Sequence, residues 1–182
     1  HPVANFVDKG PPSKLDLLLA HVLESSTSQE GTISSLYGTT HENTTVRSVY
    51  TDGSCLYPNT PRAQAGSGIY WNPNDARNIS VRLPGLATNN RAELYAVLWV
   101  IVHSPVTWTL YIYTDSTYAI HSVCHWAPSR AAKGWRCKNA DILQDIVLAL
   151  RNRHAAVKMF WVPGHSGNVH NDGADKLAKE GA

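Results

Sequence analysis

The sequence predicts a mixed α/β fold, a five-stranded sheet flanked by helices. Three strand-like runs follow one another, at Thr45–Cys55, Gly66–Trp71 and Ile79–Leu83, and helices and strands then interleave to the end of the chain. The 182 residues, 43% of them hydrophobic, suffice for the core of one domain with an appendage.

Each element has a local reason. Thr45–Cys55 is β-branched and aromatic and runs into the turn-rich Pro58, Asn59 and Pro61. Asn72-Pro73-Asn74-Asp75 is a hairpin signal between the next two strands. Asn90–His103 places Ala92, Leu94, Ala96, Leu98 and Val102 for helical packing, and Thr109–Tyr113 is an apolar strand. A second helix is expected over Thr117–Trp126 and a third over Asp141–Arg151, whose apolar residues are Ile142, Ile146, Leu148 and Leu150. Val157–Val162 reads as the last strand and Asn171–Glu180 as the terminal helix.

Residues 1–46 differ in kind and are expected to be a linker or N-terminal extension, partly helical, ahead of a domain at 47–182. Gly10-Pro11-Pro12 interrupts the chain, Lys14–Val22 can form a short amphipathic helix, and Glu24–Thr45 is rich in Ser, Thr, Gly and Asn. Charge divides along the same line. Residues 1–47 hold three Lys/Arg and five Asp/Glu, and residues 48–182 hold thirteen and nine. The domain is mildly basic, which suits an anionic polymer as partner.

Cys55, Cys124 and Cys137 are odd in number and lack zinc or disulfide spacing, so they read as free thiols of a reducing compartment: nucleus, cytoplasm or a virion. No run is apolar for long enough to span a membrane, and Leu17-Leu18-Leu19 is too interrupted for a signal sequence. The chain starts at His1 and its one methionine is Met159, so it is expected to be a piece of a longer polypeptide.

Four acidic residues stand in separate short contexts: Asp52 before Gly53, Glu93 after Asn90-Arg91-Ala92, Asp115 after Thr114, and Asp175 after Gly173-Ala174. Each alone has a structural explanation. Asp52 suits a turn, Glu93 has capping-box spacing from Asn90, and Asp115 and Asp175 suit the positive end of a helix. Together, two strand ends and two helix starts can deliver four carboxylates to one end of a sheet. Such a cluster repels itself unless hard divalent cations hold it, and two such ions roughly 3.5–4 Å apart can cut a phosphodiester. Val162-Pro163-Gly164-His165-Ser166-Gly167 adds a loop histidine for proton transfer.

These blocks resemble the type 1 ribonuclease H family over about residues 47–182: Tyr50-Thr51-Asp52-Gly53-Ser54, Asn89-Asn90-Arg91-Ala92-Glu93-Leu94, Thr114-Asp115-Ser116, the His165 loop and Ala174-Asp175-Lys176-Leu177-Ala178. The resemblance implies a ribonuclease H-like fold and an endonuclease that hydrolyses the RNA strand of RNA–DNA hybrids, leaving 5′-phosphate and 3′-hydroxyl ends. It implies Asp52, Glu93, Asp115 and Asp175 as ligands of two Mg²⁺ ions, with Mn²⁺ as a substitute, and His165 as an aid to turnover. Asn171 matches the family, whereas Asp172 stands where a glutamate is usual.

On the substrate side, the resemblance gives Asn89 and Asn90 to RNA 2′-hydroxyls and Tyr118 and Trp126 to the DNA strand. Thr88 and Asn139 match a DNA-phosphate pocket in which Leu86 replaces an arginine, and Arg130 replaces a second tryptophan. Arg130, Lys133, Trp135, Arg136 and Lys138 form a short cationic and aromatic stretch, either a solvated basic loop or a shortened form of the family's basic handle. The expected setting is a monomeric domain, either of a cellular-type enzyme or, slightly favoured, of a retroelement or viral reverse transcriptase polyprotein with a polymerase domain upstream. The competing class is a catalytically silent binding module of the same fold, and an integrase- or resolvase-like enzyme is a third reading without the histidine loop.

Overall fold

A computed structural model of the chain describes residues 34–40, 45–165 and 167–182. The helix expected over Lys14–Val22 lies outside the described residues. The strands are β1 (Thr45–Leu56), β2 (Gln64–Tyr70), β3 (Ile79–Arg82), β4 (Trp108–Thr114) and β5 (Val157–Trp161). They form one sheet in the order β3-β2-β1-β4-β5. The three leading strands are antiparallel neighbours, while β4 joins β1 and β5 joins β4 in parallel.

Helix α1 (Asn89–His103) covers one face. Its Leu94, Val97, Val100 and Ile101 meet Val49, Ile69, Leu110 and Ile112 of the sheet and Leu143 and Ile146 of α4 (Ala140–Arg151) in one buried core. The opposite face of β1, β2 and β3 takes the terminal helix α5 (Val169–Gly181). Its approach is close enough that a Cβ on Gly66 would strike the backbone of Gly181, and one on Gly68 the carbonyl of Ala174. Glycine in β2 is thus a steric requirement of α5.

The helical path after β4 departs from expectation. It begins as α2 (Thr117–Ile120), widens into a π-helical stretch at His121–Trp126, and continues as α3 (Ala127–Ala132). An end near Trp126 was the natural expectation, because Pro128 cannot serve inside a helix. The wider register ends at Trp126, so Pro128 falls in the first turn of α3, where proline is tolerated. Ahead of β1, a helical turn over residues 34–37 docks on the domain. Leu36 O accepts from Arg151 Nε at 2.7 Å, and Tyr37 packs against the main core.

Candidate active site

The parallel pairing of β1 with β4 ends at Tyr50 and Tyr113, and the two strands part beyond it. The crevice at the carboxyl ends of parallel strands is where open α/β sheets place their sites. Asp52 stands there on β1, paired across to Gly68 of β2, and its Oδ1 accepts the Gly53 amide at 2.8 Å. It lies within a strand that runs on to Leu56, so it is neither a turn aspartate nor at a strand end.

Gly53 brings the second carboxylate in. A Cβ there would collide with the backbone nitrogen of Glu93, so α1 seats its start directly on β1. The N-cap of α1 is Thr88, whose Oγ1 accepts the Arg91 amide at 3.2 Å. Glu93 is therefore past the capping-box position and buried, at 4% exposure. Asp115 follows the last residue of β4 and precedes Ser116, the actual N-cap of α2. The capping-box explanation for Glu93 does not hold, and Asp115 stands one residue ahead of the cap of α2.

Carboxylate oxygens of Asp52, Glu93 and Asp115 lie within 4.8 Å of one another. Asp52 is 6% exposed, and burial, then the neighbouring Asp115, pushes its carboxyl up to about 7. Burial, then Asp52 and Asp115, holds Glu93 well above the usual carboxylate range. Glu93 Oε2 is buried without a hydrogen-bond partner. A buried acceptor of this kind among like charges fits an oxygen-seeking divalent cation.

Asp175 sits beyond the first turn of α5, whose N-cap is Asn168, so the helix dipole does not explain it either. It is close enough to raise the Asp52 carboxyl, yet it lies outside the trio and pairs with Lys179 Nζ at 2.6 Å. Asn171 is buried at 1% exposure, and its Nδ2 reaches Asp115 Oδ2 at 3.5 Å. Asp172 is exposed. The histidine loop passes the same carboxylate, since a Cβ on Gly164 would touch Asp115 Oδ2. His165 next to it is exposed with φ 49°, a left-handed conformation uncommon for a residue with a side chain.

A groove of about 610 Å³ lies on the α1–α2 side and gathers Thr88, Asn89, Asn90, Tyr118, Arg130, Lys138 and Asn139. Leu86 lines it too. Asn139 Nδ2 donates to the Tyr118 hydroxyl at 2.9 Å, and Arg91 Nη1 reaches Asp141 at 2.8 Å. Arg130 lies 4.8 Å from the Trp126 ring centroid and donates to Ser122 Oγ at 3.2 Å. Trp126, 42% exposed, meets Tyr118 edge to face at 6.5 Å. Lys133 and Arg136 are exposed but do not line this groove. Trp135 turns elsewhere, against the core and beside Ala131, Val147 and Leu148.

Two residues escaped the sequence reading. Arg91, seen only as motif filler, joins α1 to α4 through Asp141, which it holds at about 2. Tyr37 lay in a segment read as linker, and its hydroxyl donates to Val123 O at 2.6 Å. Isolated in a Ser- and Thr-rich stretch, it carried no periodic signal.

A profile of the family described as RNase H matches residues 44–182. The chain is 38% identical to Ribonuclease H1 of Mus musculus over 140 residues, 74% of this chain and 49% of that protein. It spans about half the length of this and the other mammalian relatives it matches. It is 33% identical to Ribonuclease H of Chromobacterium violaceum over 142 residues, covering 73% of this chain and 92% of the relative. A crystal structure of LC9-RNase H1, described as a type 1 RNase H with the type 2 active-site motif, superposes with TM-score 0.61. The match is 30% identical and covers 79% of this chain and 74% of the other. With its sheet order and its carboxylate trio at the parting of β1 and β4, the chain belongs to the type 1 ribonuclease H family.

Proposed function

We propose that this domain hydrolyses the RNA strand of RNA–DNA hybrids with two divalent cations, Mg²⁺ or Mn²⁺, leaving 5′-phosphate and 3′-hydroxyl ends. The observation that carries it is the trio of Asp52, Glu93 and Asp115, gathered within 4.8 Å with Asp52 and Glu93 raised above the ordinary carboxylate range. Three acids gathered this closely make sense as ligands for a divalent cation.

Asp52, Glu93 and Asp115 would hold the cations, and Asp175 would join them on leaving Lys179. Bound cations of this kind supply an activated water and stabilise the leaving oxygen. Asn171 orients Asp115 from α5. His165, exposed beside Gly164, would assist turnover by proton transfer. Asn89 and Asn90 present amides to RNA 2′-hydroxyls, the groups that distinguish RNA from DNA. Tyr118 and Trp126 offer ring faces to the DNA strand, and Thr88 and Asn139 polar groups to a phosphate. Arg130, Lys133, Arg136 and Lys138 add positive charge along the hybrid, whereas Trp135 supports the loop from below.

The test is cleavage of hybrid, duplex RNA and duplex DNA, each labelled, with Mg²⁺ and with a chelator. Mg²⁺-dependent loss of the hybrid's RNA strand alone is expected. Hybrid binding without cleavage would favour the silent module instead. The setting downstream of a polymerase domain in a reverse transcriptase polyprotein, and the monomeric state, belong to the same proposal. The coding sequence upstream of His1 and the mass in solution test them.

A further inference from the structure

The π-helical stretch His121–Trp126 carries an unusual hydrogen-bonding demand. In its register each carbonyl is met by the amide five residues on. For Val123 that residue is Pro128, which has no amide hydrogen. Val123 itself is buried, so its carbonyl cannot rely freely on solvent. The donor comes from outside the helix: the Tyr37 hydroxyl, at 2.6 Å. Burial raises the Tyr37 phenol far above its ordinary pKa, so it remains a donor at any working pH. A second tie, Arg151 Nε to Leu36 O at 2.7 Å, holds the backbone that presents Tyr37.

This hydrogen bond lies in the stretch that joins two segments lining the groove, one with Tyr118 and one with Arg130. Tyr118 precedes the π-helical stretch, Trp126 ends it, and Arg130 lies one turn beyond over the Trp126 ring. Residues 34–40 lie before the portion matched by the family profile, which begins at residue 44. We propose that Tyr37 is a positioning residue for hybrid binding: its hydroxyl stands in for the amide that Pro128 lacks and fixes the π-helical stretch that sets Tyr118, Trp126 and Arg130 relative to one another. The inference rests on the proposed hybrid-cleaving function for its readout, though not for its chemistry.

Its test compares the full chain with Tyr37→Phe, Pro128→Ala and the double variant, by steady-state cleavage and by amide exchange over residues 121–127. Tyr37→Phe keeps the ring and loses only the donor. It should raise KM for the hybrid about three- to tenfold, leave kcat within about twofold, and speed exchange in this stretch. Pro128→Ala restores an amide facing Val123, so Tyr37→Phe in that background should change KM by less than about twofold. Equal losses in both backgrounds, a fall in kcat with KM kept, or unchanged KM and exchange would each overturn the proposal. If none of the four proteins binds or cuts a hybrid, the functional reading fails, and amide exchange alone then decides the role of Tyr37.

Discussion

Lys179 Nζ lies 2.6 Å from Asp175 Oδ2, so the fourth acidic residue is paired within its own helix rather than gathered into the trio it neighbours. The hydrogen bond to Asp175, and more weakly the charge of Asp52, raise the Lys179 pKa. A cation bound at the trio would compete with this ammonium for Asp175. An exposed pair four residues apart is weak, so Lys179→Gln should lower the Mg²⁺ concentration for half-maximal cleavage about twofold. A Mg²⁺ titration of the rate reads this, and a rise in that concentration would assign Lys179 to the substrate instead.

The Asp52 carboxyl, raised to about 7, makes stability and metal binding depend on pH in opposite senses. In the unfolded chain an aspartate loses its proton near pH 4, whereas the folded protein keeps this one until about 7. Between those values the folded state binds the extra proton, so the Asp52 contribution to stability falls as pH rises and then levels off. Without metal, the Tm of the wild-type chain should drop from pH 4.5 to 7.5 relative to Asp52→Asn. Mg²⁺ must displace the proton, so its affinity should rise by up to about tenfold per pH unit below 7. A flat difference in Tm would show that Asp52 is ionised throughout.

The basic stretch after α3 divides between substrate and core. Lys138 and Arg130 line the groove, Lys133 and Arg136 stand exposed near it, and Trp135 packs inward. Alanine at Lys133, Arg136 and Lys138 together should flatten the salt dependence of hybrid affinity by about two to three units of slope. Trp135→Ala should leave that slope unchanged and destabilise the fold by about 2–4 kcal/mol. Salt titration of binding and denaturant unfolding separate the two effects. A lost slope in Trp135→Ala would return that ring to the hybrid.

Most of the architecture was legible in the sequence because it follows from local periodicity. The five strands lie within a few residues of expectation, as do the helices other than the one after β4, and the motifs around the trio were visible although Asp52 and Glu93 lie inside their elements rather than at the ends. The remainder depended on helix caps, helical register and the choice of pairing partner, which residue types alone leave open. The cap of α1 proved to be Thr88 rather than Asn90, which released Glu93 from any capping role. The helix expected to end at Trp126 runs on to Ala132, because the π-helical widening places Pro128 in the first turn of α3. Asp175 read as the equal of the other three because nothing local shows that Lys179, one turn on, takes its carboxylate. Trp135 read as substrate-facing because aromatic residues among cations look alike whether they face a groove or a core.

The central claim, that the trio at the parting of β1 and β4 does the chemistry while the groove does the binding, comes down to Asp115→Asn. The amide keeps the shape of the side chain and removes its charge. Single-turnover cleavage and hybrid Kd, measured on one preparation, should show a rate loss of at least about a thousandfold with Kd within about twofold. A variant that keeps most of its rate, or that loses binding in step with rate, would contradict the account.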